Sequence, residues 1–384
     1  MTNAIVPSRI TEARETRALS MEDLAEKIGV TRQSISKYEH GIVRPSPEVL
    51  QDISLCLDFP IEFFYITEMG ENAGSSSLFF RSNANIAKKV KTACKYQVKW
   101  VNEIKKQLEQ YVDFVERDVP MADRNFEDLS VEDIEELALT LRKGWGLADD
   151  PISDLIGVLE NKGIIITHFS TSVFCPFRGI DAFSCWRNGT PYILYHPNQK
   201  SAVRSRFSIS HELGHLLMHS SITEDDSVRK DIVDLADMQA DRFAAAFLLP
   251  ATSFHKDIRS TSLSSLETIK RKWGVAMSAI IKRCETLELL NENQINYMKR
   301  QMTTRKYWHK EPLDDILTLA EPEIIRDAIY LIIDNKILTK AAFINASGLS
   351  VQDLKQICFL PDEFFDDYYE RKKPVLRIVG AEEY

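Results

Sequence analysis

Apolar positions in the first part of the chain recur at helical spacing and are broken at short intervals by glycine, proline and capping residues. Residues 8–65 therefore read as a run of short helices. Ser20 precedes Met21-Glu22-Asp23 and reads as an N-cap, with the acidic side chains at the positive end of the helix dipole. Leu24, Ala25 and Ile28 share one face of that helix, and Gly29 stops it. Val30 bridges the turn, and Thr31 caps the next helix, Arg32-Gln33-Ser34-Ile35-Ser36-Lys37-Tyr38-Glu39, ended by Gly41. Two short helices joined steeply through a glycine turn describe a helix-turn-helix, whose second helix enters the major groove of DNA. The side chains there suit that placement. Gln33 can bond adenine bidentately, and Arg32 and Lys37 can reach guanine or phosphate. Ser34, Ser36 and Tyr38 can hold backbone phosphates, while Ile35 points inward.

The pattern then changes. Residues 70–77 are rich in Gly and Ser and read as a linker. A long helix is expected over 86–114, with Val90, Ala93, Cys94, Val98, Val101 and Ile104 as its packed stripe. Its Lys88, Lys89, Lys91, Lys95, Lys99, Lys105 and Lys106 read as a solvated face. Helices follow at 129–146, capped by Ser130, and at 151–159. The short β-branched or aromatic runs Gly163-Ile164-Ile165-Ile166-Thr167 and Tyr192-Ile193-Leu194-Tyr195 read as strands. The expected fold class is thus mainly α with a small β-sheet (α+β). Near the C-terminus, residues 338–358 suggest a helical pair. There Leu360-Pro361-Asp362-Glu363-Phe364-Phe365 echoes Phe59-Pro60-Ile61-Glu62-Phe63-Phe64, which reads as chance rather than as a degenerate repeat.

Composition narrows the class. A chain of 384 residues favours two or three domains, and 44% hydrophobic with 27% charged residues is globular rather than disordered or fibrous. The net charge of -9 argues against a broadly basic nucleic-acid binder but leaves a local DNA-reading face open. The six cysteines, Cys56, Cys94, Cys175, Cys185, Cys284 and Cys358, include no CxxC pair and read as reduced thiols. With no signal core at the N-terminus and no membrane-length apolar run, the expected compartment is the cytoplasm.

The chemically richest stretch is His211-Glu212-Leu213-Gly214-His215. On a helix, residues four apart share one face, so both imidazoles can converge on one ion. Glu212 stands beside them as a general base for the attacking water and a proton donor to the leaving amine. Zn2+ suits that donor set. A third His ligand in the metzincin manner is closed, because the required positions hold Met218 and Ser221. His219 lies about 12 Å from His211 along the axis, too far for joint ligation. A carboxylate from a second helix remains, and Asp234, Asp237 and Asp241 share one face of the helix expected over 231–249.

Two resemblances carry these readings further. Residues 24–31 and 35–41, with Pro45 and Ser46-Pro47, resemble Xre/Cro-type phage-repressor-like heads. That implies five helices and recognition residues at Arg32, Gln33, Ser34, Ser36 and Lys37. The run from Arg204 to His219, and Ala240-Asp241-Arg242-Phe243 through Pro250, resemble the ImmA/IrrE metallopeptidase family. So do Ile180-Asp181-Ala182-Phe183 and the later stretch with Leu266, Lys270, Trp273, Ile280 and Arg283. That family implies a zinc ligand at Asp237, where it has Glu, and at Asp241 a residue that orients a ligand imidazole. Asp237 is one methylene shorter than the family's residue, which puts turnover in question more than metal binding. The expected organisation is a helix-turn-helix domain at 1–68, a linker and connecting helix at 69–125, a zinc metallopeptidase domain at 126–312 and a helical region at 313–384. The expected function is a DNA-binding regulator that cleaves a repressor or other regulatory protein in a phage, mobile-element or stress circuit, and palindromic operators point to a homodimer. The rivals are a non-enzymatic regulator that uses the peptidase fold as a sensor or dimerisation body, and a toxin–antitoxin component.

Overall fold

The computed structural model describes residues 4–67, 79–80, 88–120, 125–170, 180–196, 201–222 and 229–366. The expected linker at 70–77 and Cys175 lie outside them.

The head consists of α1 (Pro7–Thr16), α2 (Met21–Ile28), α3 (Arg32–Glu39), α4 (Pro47–Leu57) and a short 3-10 turn, Ile61–Tyr65. These are the five helical elements expected. Ser20 and Asp23 form a reciprocal capping box at the start of α2, and Gly29 ends it at φ +72°, where a side chain would be strained. Thr31 accepts the backbone N–H of Ser34, so α3 starts where the sequence places it. Beneath α3, Arg14 donates to both carboxylate oxygens of Glu39 at 2.6 and 2.9 Å in a buried pair, which fixes that helix against α1.

The long helix α5 (Lys88–Leu108) stops short of the expected 114 and buries the predicted stripe except for Val90, which is half-buried. Its lysine face departs from expectation. Lys99 reaches Glu12 of the head at 2.8 Å, and Trp100 Nε1 donates to the same carboxylate at 2.8 Å. Glu12 is fully buried, and a buried carboxylate is tolerated only when donors surround it. Lysine content alone therefore misread Lys99, while Lys88, Lys89 and Lys95 are exposed as expected.

Next come α6 (Val131–Gly144), α7 (Leu155–Glu160) and a small sheet of β1 (Phe79–Phe80), β2 (Ile165–His168), β3 (Ala182–Arg187) and β4 (Thr190–Tyr195), in the order β1-β3-β4-β2. β2 runs parallel to β4, and β3 and β4 form an antiparallel hairpin. That hairpin turns on Asn188-Gly189, both at positive φ (50° and 77°), the conformation a two-residue hairpin loop requires. The helical remainder of the domain is α8 (Ala202–Met218), α9 (Lys230–Leu248), α10 (Ala251–Phe254), α11 (Leu263–Trp273), α12 (Met277–Thr286) and α13 (Glu292–Thr304). The architecture is α+β, as expected. Among the described residues no helix is long and apolar enough to cross a membrane.

The sheet separates two cores. Ile166, Ala182, Trp186 and Ile193 face the core built on α8 and α9. Ile165, Phe183, Cys185, Tyr192 and Leu194 face a second core, shared with the head, α5 and the C-terminal helices. Burial on both faces accounts for the lack of polar alternation in β3, the strand that the hydrophobic pattern does not reveal.

The C-terminal region consists of α14 (Ile324–Asp334), α15 (Lys340–Ser347), α16 (Val351–Cys358) and a 3-10 turn, Asp362–Phe365. Several of its helix ends are built like those of the head. α15 has 8 residues, starts on a Thr339 cap and ends at a left-handed Gly348. Leu349 and the Ser350 cap then lead into the 8 residues of α16, as Val30 and Thr31 lead into α3. After it, Phe359 is left-handed (φ 54°), and Pro361 opens the 3-10 turn as Pro60 does in the head. In the head that turn follows α4 and its left-handed Asp58, so the echoed segment matches the head's closing turn and does not by itself make a second helix-turn-helix. Thr167 of β2 donates to the Ile357 carbonyl, and Leu354, Ile357 and Cys358 are buried. The region is tied to the head by Arg17, which donates to Asp353 at 2.7 and 3.0 Å and to the carbonyls of Leu57 and Asp58.

Two predictions follow from this packing. Asp353→Ala leaves the buried Arg17 guanidinium without its counter-charge and is expected to cost about 3–5 kcal/mol in urea unfolding. An unchanged midpoint would show that the C-terminal region does not brace the head. Glu160 is buried and accepts the N–H groups of Glu323 and Ile324 at the start of α14. Burial outweighs those bonds and pushes its carboxyl from 4.5 up to about 7. A raised folded-state value means the stabilisation is complete below pH 4.5 and lost as the pH rises through about 7. Unfolding midpoints measured from pH 5.5 to 8 should fall for the wild type and flatten for Glu160→Gln.

Candidate metal centre

The site begins with how α8 is built. From Ser208 to His219 every residue is buried, so its polar members need partners within the protein. Gly214 lies between the two histidines, facing α9. A Cβ there would stand 3.1 Å from Phe243 Cδ1 and 3.2 Å from the Ala240 Cα. The absence of a side chain is what lets the two helix backbones approach so closely. α9 is held in turn by Glu135 of α6, which forms an ion pair with Arg242 at 2.6 Å and accepts bonds from the buried Arg283 of α12 at 2.5 and 2.8 Å. Burial alone would raise the Glu135 carboxyl, but the bonds and charges of Arg283 and Arg242 outweigh it and hold it below its ordinary value.

With the helices so placed, His211, His215 and Asp237 come together, one ligand atom of each lying within 4.8 Å of the others. The two Nε2 atoms are 3.0 Å apart, and Asp237 Oδ1 lies 3.5 Å from His215 Nε2 and 3.9 Å from His211 Nε2. Bonds of 2.0–2.1 Å at tetrahedral angles separate ligand atoms by about 3.3 Å, so small side-chain adjustments bring the three onto one ion. Two imidazoles and one carboxylate are also the donor set of open catalytic zinc sites. The residues present fit zinc. Asp234 is exposed and is not part of the cluster. Asp241 Oδ1 accepts from His211 Nδ1 at 2.7 Å, the orienting place expected for it. That bond puts the His211 proton on Nδ1 and leaves its Nε2 lone pair for a cation.

Glu212 is fully buried and faces the sheet. Ser184 of β3 donates its hydroxyl to Glu212 Oε2 at 2.7 Å and lies 3.2 Å from the Glu212 carbonyl. Trp186 Nε1, two residues along the strand, donates to the Leu216 carbonyl at 2.9 Å. Sequence reasoning missed Ser184 because it missed the strand. The pair Asn188-Gly189 was the available signal. It also left His219 without a role. His219 is fully buried, and burial together with His215 holds its imidazole well below the ordinary value, in the neutral form.

In the head, Arg32, Gln33 and Lys37 are exposed along one side of α3, with Ser34 and Ser36 half-buried beside them. Ile35 is in the core, as expected. The Ser34 hydroxyl lies 2.9 Å from Thr31 Oγ1, so it shares in the helix cap.

A small sheet backing a buried helix with paired histidines, behind a helix-turn-helix head, is the plan of a peptidase-like α+β domain joined to a helix-turn-helix module. Known families agree with it. Residues 10–64 match the helix-turn-helix family model, and residues 172–285 match a peptidase family model described as the IrrE N-terminal-like domain. The chain thus carries an Xre-type head and an ImmA/IrrE-like domain. The head is 40% identical over 70 residues to an uncharacterised HTH-type transcriptional regulator of Sinorhizobium medicae, covering 18% of this chain and 50% of that protein. A match of the same identity and coverage is found to one from Rhizobium meliloti. An uncharacterised transcriptional regulator in the ATPase CF(0) region of Rhodospirillum rubrum is 41% identical over 63 residues, 16% of this chain and 58% of its own length. The chain spans about half the length of these relatives.

Gly214→Ala tests the helix spacing. The clash falls partly on backbone, which cannot move aside cheaply, so a loss of about 1–3 kcal/mol is expected together with weaker zinc uptake. A folded variant that titrates with zinc like the wild type would show that the close crossing does not set the site.

Proposed function

We propose that this chain is a DNA-binding transcriptional regulator whose second module is a zinc-dependent endopeptidase acting on a repressor or another regulatory protein. The observation that carries the enzymatic half is the convergence of His211, His215 and Asp237 beside a buried Glu212. The naming of the relatives as transcriptional regulators and the exposed face of α3 support the DNA-binding half, with double-stranded operator DNA as partner.

Bound Zn2+ would supply Lewis acidity, polarising the scissile carbonyl and acidifying a water. His211, His215 and Asp237 would hold it, with Asp241 keeping the His211 ring in register. Glu212 takes the proton of the attacking water and returns it to the leaving amine, so that it is a carboxylate before attack and a carboxylic acid until the peptide bond breaks. Ser184 keeps Oε2 fixed during that exchange. On DNA, Gln33 reads a base edge, Arg32 and Lys37 contact guanine or phosphate, and Ser34 and Ser36 approach the backbone.

The test uses full-length chain and three variants. Metal analysis should find one zinc per wild-type chain and none in Asp237→Ala. Glu212→Gln should keep zinc and DNA binding while new protein N-termini vanish from cells expressing it, a loss of about 10²–10⁴ in rate. Gln33→Ala should weaken operator binding by about 1–3 kcal/mol and spare proteolysis. If Glu212→Gln leaves the regulatory output intact, the peptidase reading fails and a sensor or dimerisation role for that domain takes its place.

A further inference from the structure

Beyond the three ligand residues lies a hydrogen-bonded chain that the proposed chemistry does not yet use. His215 Nδ1 and His219 Nδ1 are 2.9 Å apart. His219 Nε2 lies 2.9 Å from Gln239 Oε1 on α9. The Gln239 amide nitrogen donates to the backbone carbonyl of Phe126 at 2.7 Å. All three side chains are buried, and the Phe126 ring meets His219 edge-on with centroids 5.7 Å apart.

The direction of every proton in this chain follows from its far end. A backbone carbonyl only accepts, so the Gln239 –NH2 must face Phe126 and its Oε1 must face His219. An amide oxygen only accepts, so His219 carries its proton on Nε2. Its Nδ1 is then a lone pair, so in the 2.9 Å bond to it His215 Nδ1 must carry the proton. His215 Nε2 is left as a lone pair directed at His211 and Asp237. We propose that His219 and Gln239 are positioning residues that hold His215 in the tautomer needed to bind a metal. The proposal rests on the zinc reading above.

The two histidines are thereby oriented by different means. His211 leans on the anionic Asp241, whereas His215 leans on a neutral imidazole, amide and carbonyl in series. Glu212, Asp237 and Asp241 already bring three carboxylates to the site. A fourth behind His215 would add negative charge next to the ion and blunt its Lewis acidity. A neutral relay orients the ring without that charge. His219 thus has a role even though it lies too far along α8 to ligate beside His211.

Zinc affinity, measured by competition with a chelator of known strength, tests this independently of turnover. His219→Phe keeps a ring but removes the acceptor, and zinc binding should weaken about 10–100-fold. His219→Asn returns an acceptor close to the Nδ1 position and should recover most of that loss. Gln239→Leu frees His219 to take the other tautomer and should also weaken zinc binding. Melting of the metal-free forms checks that each variant folds. The wild-type zinc form provides a readout without any variant, because nitrogen NMR of its rings should show a slowly exchanging proton on His215 Nδ1 and none on His219 Nδ1. Zinc-bound wild type together with a folded His219→Phe of equal affinity, or a His215 without that proton, overturns the relay alone. A wild-type chain that takes up no zinc overturns the relay and the metal reading together.

Discussion

The close crossing of α8 and α9 over Gly214 is the contact on which the functional half of this molecule depends. α8 alone supplies two imidazoles and a glutamate. α9 alone supplies Asp237, Gln239 and Asp241. Neither helix holds a complete set, and the bonds that define the site run between them: Asp241 to His211, Gln239 to His219, and Asp237 toward both ligand histidines. A carboxylate one methylene shorter than the family's glutamate reaches the same centre only if the backbones are near. Gly214, with Ala240 and Phe243 against it, provides that nearness. The Glu135 bridge to Arg242 and Arg283 pins the outer side of α9 so that it cannot relax away.

The sheet behind α8 extends the same constraint outward. Its hidden strand β3 fixes Glu212 through Ser184 on one face and contributes Phe183 and Cys185 to the other core. That second core contains the head, α5 and the C-terminal helices. The expected boundaries at 68, 125 and 312 fall between segments that share buried side chains. Arg17 of the head and Asp353 of α16 form a buried charged pair. Ser170, just after β2, also donates to Asp353. A short series of buried contacts therefore connects the head to β2, which pairs with β4, a strand packed on α8. α16 lies between them as a wedge and packs its apolar face on β2.

What was legible in the sequence was what local chemistry writes there. Caps, glycine stops and the spacing of Leu24, Ala25, Ile28 and Ile35 located α2 and α3 within a residue, because short exposed helices depend on their ends. His211-Glu212 and His215 were legible for a related reason, since burying such groups on one apolar face demands a common partner. Asp237 and Asp241 were reached through resemblance, and the structure brings both to the centre. Three features were not legible. β3 is covered on both faces and so carries no alternation. Lys99 looks like any surface lysine until a buried Glu12 from another segment faces it. The C-terminal helix ends at Gly348 and Ser350 match those at Gly29 and Thr31 in backbone conformation, which the surrounding residues do not show.

The same reasoning explains why His219 defeats sequence analysis although it stands in the most informative stretch of the chain. Spacing asks whether a histidine can touch the ion, and at about 12 Å along the axis from His211 the answer is no. Whether it can touch a ligand is a different question, decided by what lies on its other side. Here that is an amide from α9, whose own direction is fixed by the Phe126 carbonyl. On the proposed relay, a carbonyl more than eighty residues upstream determines which nitrogen of His215 is left for a cation. Such information resides in the order of donors and acceptors along a buried path, and only the packed structure supplies that order.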